Sequence, residues 1–335
     1  MPTLRPPAIE EAARLQRLDR LTQRSRLVAD LEDGTTQCRA CARRCGLAEG
    51  ERGACGVRSR SSDEILAPYG YVTKLSVDTL AAHAIYHVMP GALALTFGAV
   101  VSGPSAAAAP SVTTALGLVD RAAFLGCNAI AAAYGDPLVA AEWTRDVFAH
   151  AKERGLVTAL VTSGRTTPEV VAFLRDVTDA IRVDVSADDE TAWRTIEQAR
   201  KLGLWVEVVT PLAPASTDVG LLRAIADRLA RIDPRIPWHL HGARAATSVG
   251  ELLLAMGCAY GRGLRFVYAS NARNVEALRH TLCPRCRVIV VERSGVLLTQ
   301  SRLIGGRCHV CGARVPGRWR LPVREAAGSD AVGRA

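Results

Sequence analysis

The chain has 335 residues, of which 49% are hydrophobic and only 5% aromatic. That is enough apolar material for a sizeable core, built mainly of Ala, Val and Leu, and a length that suits one large domain or two to three modest ones. No apolar run reaches the ~18 residues needed to cross a bilayer and the first eleven residues hold no apolar leader, so no membrane partner and a cytoplasmic location are expected. The net charge of +9 is carried by the two ends: residues 1–60 sum to +4, residues 61–261 to −5 and residues 262–335 to +10. Such asymmetry fits a solvated Arg-rich surface or an acidic partner such as nucleic acid.

In chain order, residues 9–31 carry Leu15, Leu18, Leu21 and Leu27 at helical spacing and read as a helix. Residues 38–58 are rich in Cys, Gly and Arg without an apolar period, the composition of a small metal-held loop. From about residue 92, short apolar runs alternate with amphipathic stretches. Strands are expected at Leu93–Phe97, Asn128–Ala132, Val157–Val161, Ile181–Val185, Trp205–Val209, Pro237–Leu240 and Arg265–Tyr268. Helices are expected at Val139–Arg154, Pro168–Asp176, Glu190–Leu202, Val219–Arg231 and Ser248–Tyr260. A helix after nearly every strand predicts an α/β fold with a parallel sheet and right-handed crossovers, curved into a partial or full barrel whose chemistry sits at the C-terminal strand ends. The expected division is 1–90 for the N-terminal helix and Cys-rich segment, 91–272 for the barrel, 273–321 for a second Cys-bearing module and 322–335 for a disordered tail.

Ten cysteines in a cytoplasmic chain do not suggest a disulfide framework. Cys283-Pro-Arg-Cys286 and Cys308-His-Val-Cys311 are two C-x2-C pairs on turns, joined by a hairpin over Val288–Val291 and Val296–Leu298. This is a zinc-ribbon spacing, and zinc is the expected ligand. Cys38, Cys41, Cys45 and Cys55 form a second quartet within 18 residues. An all-thiolate site of this kind serves zinc or a [4Fe–4S] cluster, and spacing does not separate the two. Arg39, Arg43, Arg44, Arg52 and Arg58 surround it. Cys127 and Cys258 read as core thiols.

The order of short motifs resembles the radical SAM enzymes of the AmmeMemoRadiSam system, relatives of the activating enzymes of glycyl-radical proteins, from about residue 38 to 320. The resemblance is carried by the N-terminal quartet with Gly56-Val57-Arg58, by Asp78, Tyr86-His87 and Pro90-Gly91, and by Gly126-Cys127 with Tyr134-Gly135-Asp136-Pro137. It continues through Val161-Thr162-Ser163-Gly164, Val183-Asp184, Glu207, Pro237-Trp238-His239, Val267-Tyr268, Asn271 and Thr281-x-Cys283-Pro284. It implies a partial (β/α)6-type barrel with the C-terminal zinc-ribbon-like module. The family's catalytic signature is a C-x3-C-x2-C loop after the first barrel strand. Three thiolates there ligate a four-iron cluster whose open iron takes S-adenosylmethionine. Counted from Phe97-Gly98, those positions fall on Ser102, Ala106 and Ala109, which offer no soft donor. The family's acidic-lysine-lysine run reads Ala81-Ala82-His83, its fourth-strand lysine is Ser186, and its Phe-His-Pro segment is Ala243-Arg244-Ala245. Frame residues stay while reactive ones are gone, the pattern of a pseudoenzyme acting as a scaffold or accessory to a protein partner.

Two other readings stand beside it. Tyr134, Asp136, Thr162, Asp184, Glu207 and His239, with His241, fall at expected strand ends, where they could still bind S-adenosylmethionine or a nucleotide or act as acid and base. The basic C-terminal end with its zinc-ribbon spacing also fits nucleic acid, although only Trp319 interleaves its arginines as a stacking platform.

Overall fold

The computed structural model describes residues 16, 18–99, 110–212, 218–244, 248–272 and 275–319. The loop positions Ser102, Ala106 and Ala109, the start of the expected first helix and the tail 322–335 lie outside these residues.

The large sheet has eight strands. The edge strand β1 (Lys74–Thr79) pairs antiparallel with β2 (Leu93–Gly98), and β3 (Ala129–Ala132), β4 (Val157–Thr162), β5 (Ala180–Asp184), β6 (Trp205–Pro211), β7 (Trp238–Arg244) and β8 (Val267–Ala272) follow in parallel and in chain order. All seven strands expected from the apolar runs are present. Strand β1 was not anticipated, and it lies within the segment that the sequence division assigns to the N-terminal module. Helices α1 (Ala115–Phe124), α2 (Ala141–Glu153), α3 (Pro168–Leu174), α4 (Glu190–Lys201), α5 (Val219–Ile232) and α6 (Val249–Gly261) connect the parallel strands. Their starts are chemically marked. Thr114, Thr167, Asp189, Asp218 and Ser248 each accept a backbone N–H as N-cap, and Ser248 and Glu251 form a reciprocal capping box.

Because the strands run in sequential order, every connecting helix falls on one face of the sheet. There Leu95, Ile130, Leu160, Ile181, Val206 and Leu240 pack against helix residues such as Val119, Trp143, Phe148 and Trp193 in the main core. Strand side chains alternate, so the other face carries Ala94, Ala129, Ala131, Ala159 and Ala180. Those small residues leave room for Leu80, Ile85, Val88 and Met89 of the segment between β1 and β2, which lie across them in a separate apolar cluster. The two edges, β1 and β8, are not paired with each other among the described residues.

The N-terminal region departs from the expected helix. Gln16, Leu18 and Asp19 are helical, but a turn follows at Arg20, and Thr22–Arg24 and Val28–Asp30 are strands. Thr22–Arg24 pairs with Glu64–Pro68, which pairs with Ser59–Ser61; Val28–Asp30 pairs with Thr36–Cys38, which pairs with Gly46–Leu47. The leucine spacing reflects burial of Leu18 and Leu27 in two different clusters, not one helical stripe. Where backbone partners compete, tertiary pairing overrides local periodicity. At the other end, β9 (Ile289–Ser294) and β10 (Leu297–Ser301) form the expected hairpin.

Gly98 ends β2 where the chain passes closest to its neighbour. A Cβ there would stand 2.8 Å from the carbonyl oxygens of both Ala133 and Tyr134, and its own carbonyl accepts from the Thr73 N–H and hydroxyl. These are backbone atoms that cannot rotate away. Gly98→Ala is expected to lower stability by about 1–3 kcal/mol, whereas Gly257→Ala, in open space on α6, should raise it by up to about 1 kcal/mol; thermal melts of the two variants measure the contrast.

Candidate functional site

The inward face of the sheet, away from the helices, holds a buried polar network centred on Glu207 of β6. Its carboxylate accepts from the Tyr86 N–H (2.9 Å), the His87 N–H (2.8 Å), His239 Nε2 (2.8 Å) and Trp205 Nε1 (3.0 Å). Burial pushes this carboxyl upward, but the His239 hydrogen bond and the surrounding donors outweigh it and hold the pKa below the usual carboxylate range. Burial pushes His239 down, so the pair reads as a carboxylate receiving the Nε2–H of a neutral imidazole. The His239 Nδ1 is buried without a partner.

From this centre the network runs to the C-terminal module. His87 Nε2 meets the Tyr268 hydroxyl (2.5 Å), which meets the Thr281 hydroxyl (3.0 Å). Arg293 of β9 donates to Thr281 Oγ1 (2.9 Å) and to the Tyr86 carbonyl (2.8 Å), with its guanidinium 4.3 Å over the Tyr86 ring. His87 Nδ1 lies 2.6 Å from the Pro316 carbonyl. Glu207 and His239, two of the six barrel positions singled out in the sequence, are thus sealed inside a scaffold contact.

The other four are placed elsewhere. Asp136 caps the short turn Pro137–Ala140 and accepts from Leu138 N (3.2 Å), Thr162 Oγ1 (3.4 Å) and Ser163 Oγ (3.1 Å), so Asp136 and Thr162 do meet. Burial raises the Asp136 pKa. Tyr134, at φ 60°, sends its hydroxyl to Ser76 of β1 (2.7 Å) under the Lys74 ammonium, 4.0 Å from its ring. Asp184 is ion-paired with Arg182 on the same strand and same face. His241 contacts Ser270 Oγ at 3.2 Å. Lys74, His83 and Arg182 were not foreseen as a group. Burial, then Arg182, and the nearby Lys74 push the His83 pKa down to about 4. The available signal was the charged Arg182 between apolar Ile181 and Val183.

The two cysteine quartets differ in geometry. In the C-terminal module the four sulfurs of Cys283, Cys286, Cys308 and Cys311 all lie within 4.8 Å of one another. Cys283 and Cys311 are 3.5 Å apart and Cys286 and Cys308 3.7 Å, close to the edge of about 3.8 Å that a zinc tetrathiolate with Zn–S bonds near 2.3 Å requires. Arg285 N and Val310 N each point at a sulfur from 3.4 Å. This quartet could bind a metal.

The N-terminal quartet is looser. Among the described residues no three of its sulfurs come within that 4.8 Å limit. Cys38 is buried and the other three are half-buried. Their loop is tied to the strand ends: Ala42 N donates to the Arg165 carbonyl (3.1 Å), Thr167 Oγ1 to the Arg39 carbonyl (2.6 Å), and Arg39 and Arg44 both pair with Glu169 of α3. Beneath it Arg58, one of the arginines that the sequence sets around the quartet, is fully buried in an ion pair with Glu142 of α2, which the sequence did not reveal, and donates to Ser25 Oγ (2.8 Å). Of the lone cysteines, Cys127 is buried and Cys258 half-buried.

No family model matches the chain. An uncharacterized protein of Methanocaldococcus jannaschii is 25% identical over 331 residues, covering 85% of this chain and 96% of that one. Among solved structures, the chain is similar to a domain of a pyruvate-formate lyase-activating enzyme from Bacteroides vulgatus at 17% identity, over 43% of this chain and 99% of that one, with a TM-score of 0.39. It is also similar to QueE from Escherichia coli at 12% identity, over 60% of this chain and 93% of that one, again with a TM-score of 0.39. No helix among the described residues is long and apolar enough to cross a membrane.

Two outcomes follow from these sites. His87 is neutral when folded, its pKa pushed down to about 4 by burial, against about 6.5 unfolded. The unfolded chain then binds more protons between these values, so stability is full above pH 6.5 and falls as pH drops towards 4; melts across this range should show the slope, reduced in His87→Gln. A chelator, or Cys308→Ala, should lower the melting temperature by several degrees, with metal analysis naming the ion released, because a metal held by this quartet would contribute folding free energy.

Proposed function

We propose that this chain is a radical-SAM-type partial barrel that no longer assembles the catalytic cluster and serves as a metal-stabilised, non-catalytic scaffold for a protein partner. The observation that carries the reading is the donor set of the loop after β2. The three positions matching the cluster cysteines are Ser102, Ala106 and Ala109, two without any donor atom and one a poor iron ligand. The residues present therefore do not fit the three-thiolate cluster.

Further support comes from the inward face. A singly wound parallel sheet favours curling, which is how a partial barrel arises. The concave side that such an enzyme would keep for substrate is occupied at one end by Leu80–Ala92 and the Glu207–Arg293 network. A nucleic-acid role draws less support. Of the basic residues that dominate residues 262–335, Arg262 and Arg318 are paired with Asp227 and Asp179 from outside that segment and Arg293 is buried, so the charge presented outward is smaller than the sequence count. For a protein partner, Leu221 on α5 and Leu253 and Leu254 on α6 offer exposed apolar surface. A residual nucleotide ligand held near Tyr134, Asp136 and Asp184 without turnover remains compatible with the scaffold role.

The test is anaerobic incubation of the full chain with dithionite and S-adenosylmethionine. No 5′-deoxyadenosine above a no-protein control is expected. Sustained production that depends on the chain would overturn the reading.

A further inference from the structure

We infer that the N-terminal quartet, Cys38, Cys41, Cys45 and Cys55, holds a four-iron, four-sulfide cluster, not a single zinc, and that this cluster faces a cleft at the C-terminal ends of β3, β4 and β5. The inference is independent of the scaffold reading, since it concerns different cysteines.

Size separates a cluster from a single zinc. Two cysteine quartets fold within one chain, and one closes to the span of a zinc tetrathiolate while the other does not. A single zinc draws its four sulfurs to about 3.8 Å from one another. A cubane places a layer of iron and sulfide between them, so its four thiolates stand roughly 6 Å apart. In the N-terminal loop Cys45 Sγ and Cys55 Sγ each lie 3.7 Å from the point where a Cβ on Gly53 would stand. These sulfurs therefore border one small space, yet no three of the quartet meet at zinc distance. The loop is not free to tighten: Cys38 sits at the end of Thr36–Cys38, paired with Val28–Asp30, and its N–H donates to the Cys45 carbonyl at 2.8 Å. The Arg58–Gly53 backbone bond of 2.9 Å fixes the Cys55 turn from the other side.

Charge and hydrogen bonding around the sulfurs suit a cluster as well. A cluster with four thiolates is anionic and is stabilised by N–H donors to sulfur and by nearby cations. The Ala54 N–H reaches Cys45 Sγ at 3.4 Å. Arg58, locked by Glu142, lies close enough to Cys38 and Cys55 to act on both electrostatically.

The third observation is position. A cleft of about 730 Å³ is lined by Cys41, Cys55 and Arg43 on one side and by Asp136, Arg165 and Ser186 on the other. Asp136 follows β3, Arg165 follows β4 and Ser186 follows β5, so the cleft opens where a parallel α/β sheet offers its ligand site. With all four irons ligated by thiolate, such a cluster has no open coordination site and does not replace the lost catalytic one.

The test uses the full chain purified without air and reconstituted with ferrous iron and sulfide. About four irons and four sulfides per chain, besides one zinc, are expected, with visible absorbance that bleaches on dithionite reduction. Cys41→Ser and Cys55→Ser should each lose the iron and keep the zinc, and Cys286→Ser should do the reverse. Two zincs and no iron in the native chain would overturn the inference, as would iron that survives both N-terminal substitutions. Loss of both metals in a variant reports unfolding, and the native stoichiometry then decides alone. The deoxyadenosine assay reads the other proposal, so each can fail without the other.

Discussion

The structure turns on a single buried carboxylate. Glu207 sits in the middle of the sheet's inward face, where an unpaired charge would be intolerable. It is satisfied only because the segment between β1 and β2 turns two successive backbone N–H groups towards it, with the indole of Trp205 and the imidazole of His239 completing the set. The same segment lays Leu80, Ile85, Val88 and Met89 over the small residues of the neighbouring strands. Its backbone in turn receives Arg293 from the C-terminal hairpin. One charge thereby fixes three parts of the chain that lie more than 80 residues apart, and removing any one of them leaves the others unsatisfied.

The two cysteine modules occupy opposite ends of the sheet. The C-terminal module packs at the N-terminal strand ends, where Arg318 pairs with Asp179 just before β5 and its carbonyl accepts from Met89 N. The N-terminal loop sits at the other end, bonded to Arg165 and Thr167 after β4. In α/β folds the first end generally serves stability and the second serves ligands. A tight sulfur quartet at the stability end and a looser one beside a cleft at the ligand end are consistent with that division of labour.

The polar residues of the sheet's inward face separate into groups that do not share a site. Glu207 and His239 belong to the scaffold contact, Asp136 and Thr162 to the cleft, and Asp184 to an ion pair with Arg182. Strand-end position is a property of one residue at a time. Which residues converge depends on strand register, and register was not readable from a single sequence. Arg58 shows the same limit. The sequence sets it among the arginines around the first quartet, and only the fold brings Glu142, 84 positions away, beneath it.

What the sequence determined by itself was local. Apolar runs alternating with amphipathic stretches placed all seven parallel strands and five of the helices to within a few residues, because burial on both faces and burial on one face leave different periods. The missed helix, Ala115–Phe124, follows an Ala-rich stretch that blurs such a period. Cysteine spacing identified the C-terminal quartet, because two turns of fixed length bring sulfurs together whatever lies around them. The N-terminal strands, the pairing of β1, the burial of Glu207 and the span of the first quartet were decided by tertiary structure. Each depends on contacts between residues far apart in the chain, whose free energy outweighs the local preferences that a sequence displays.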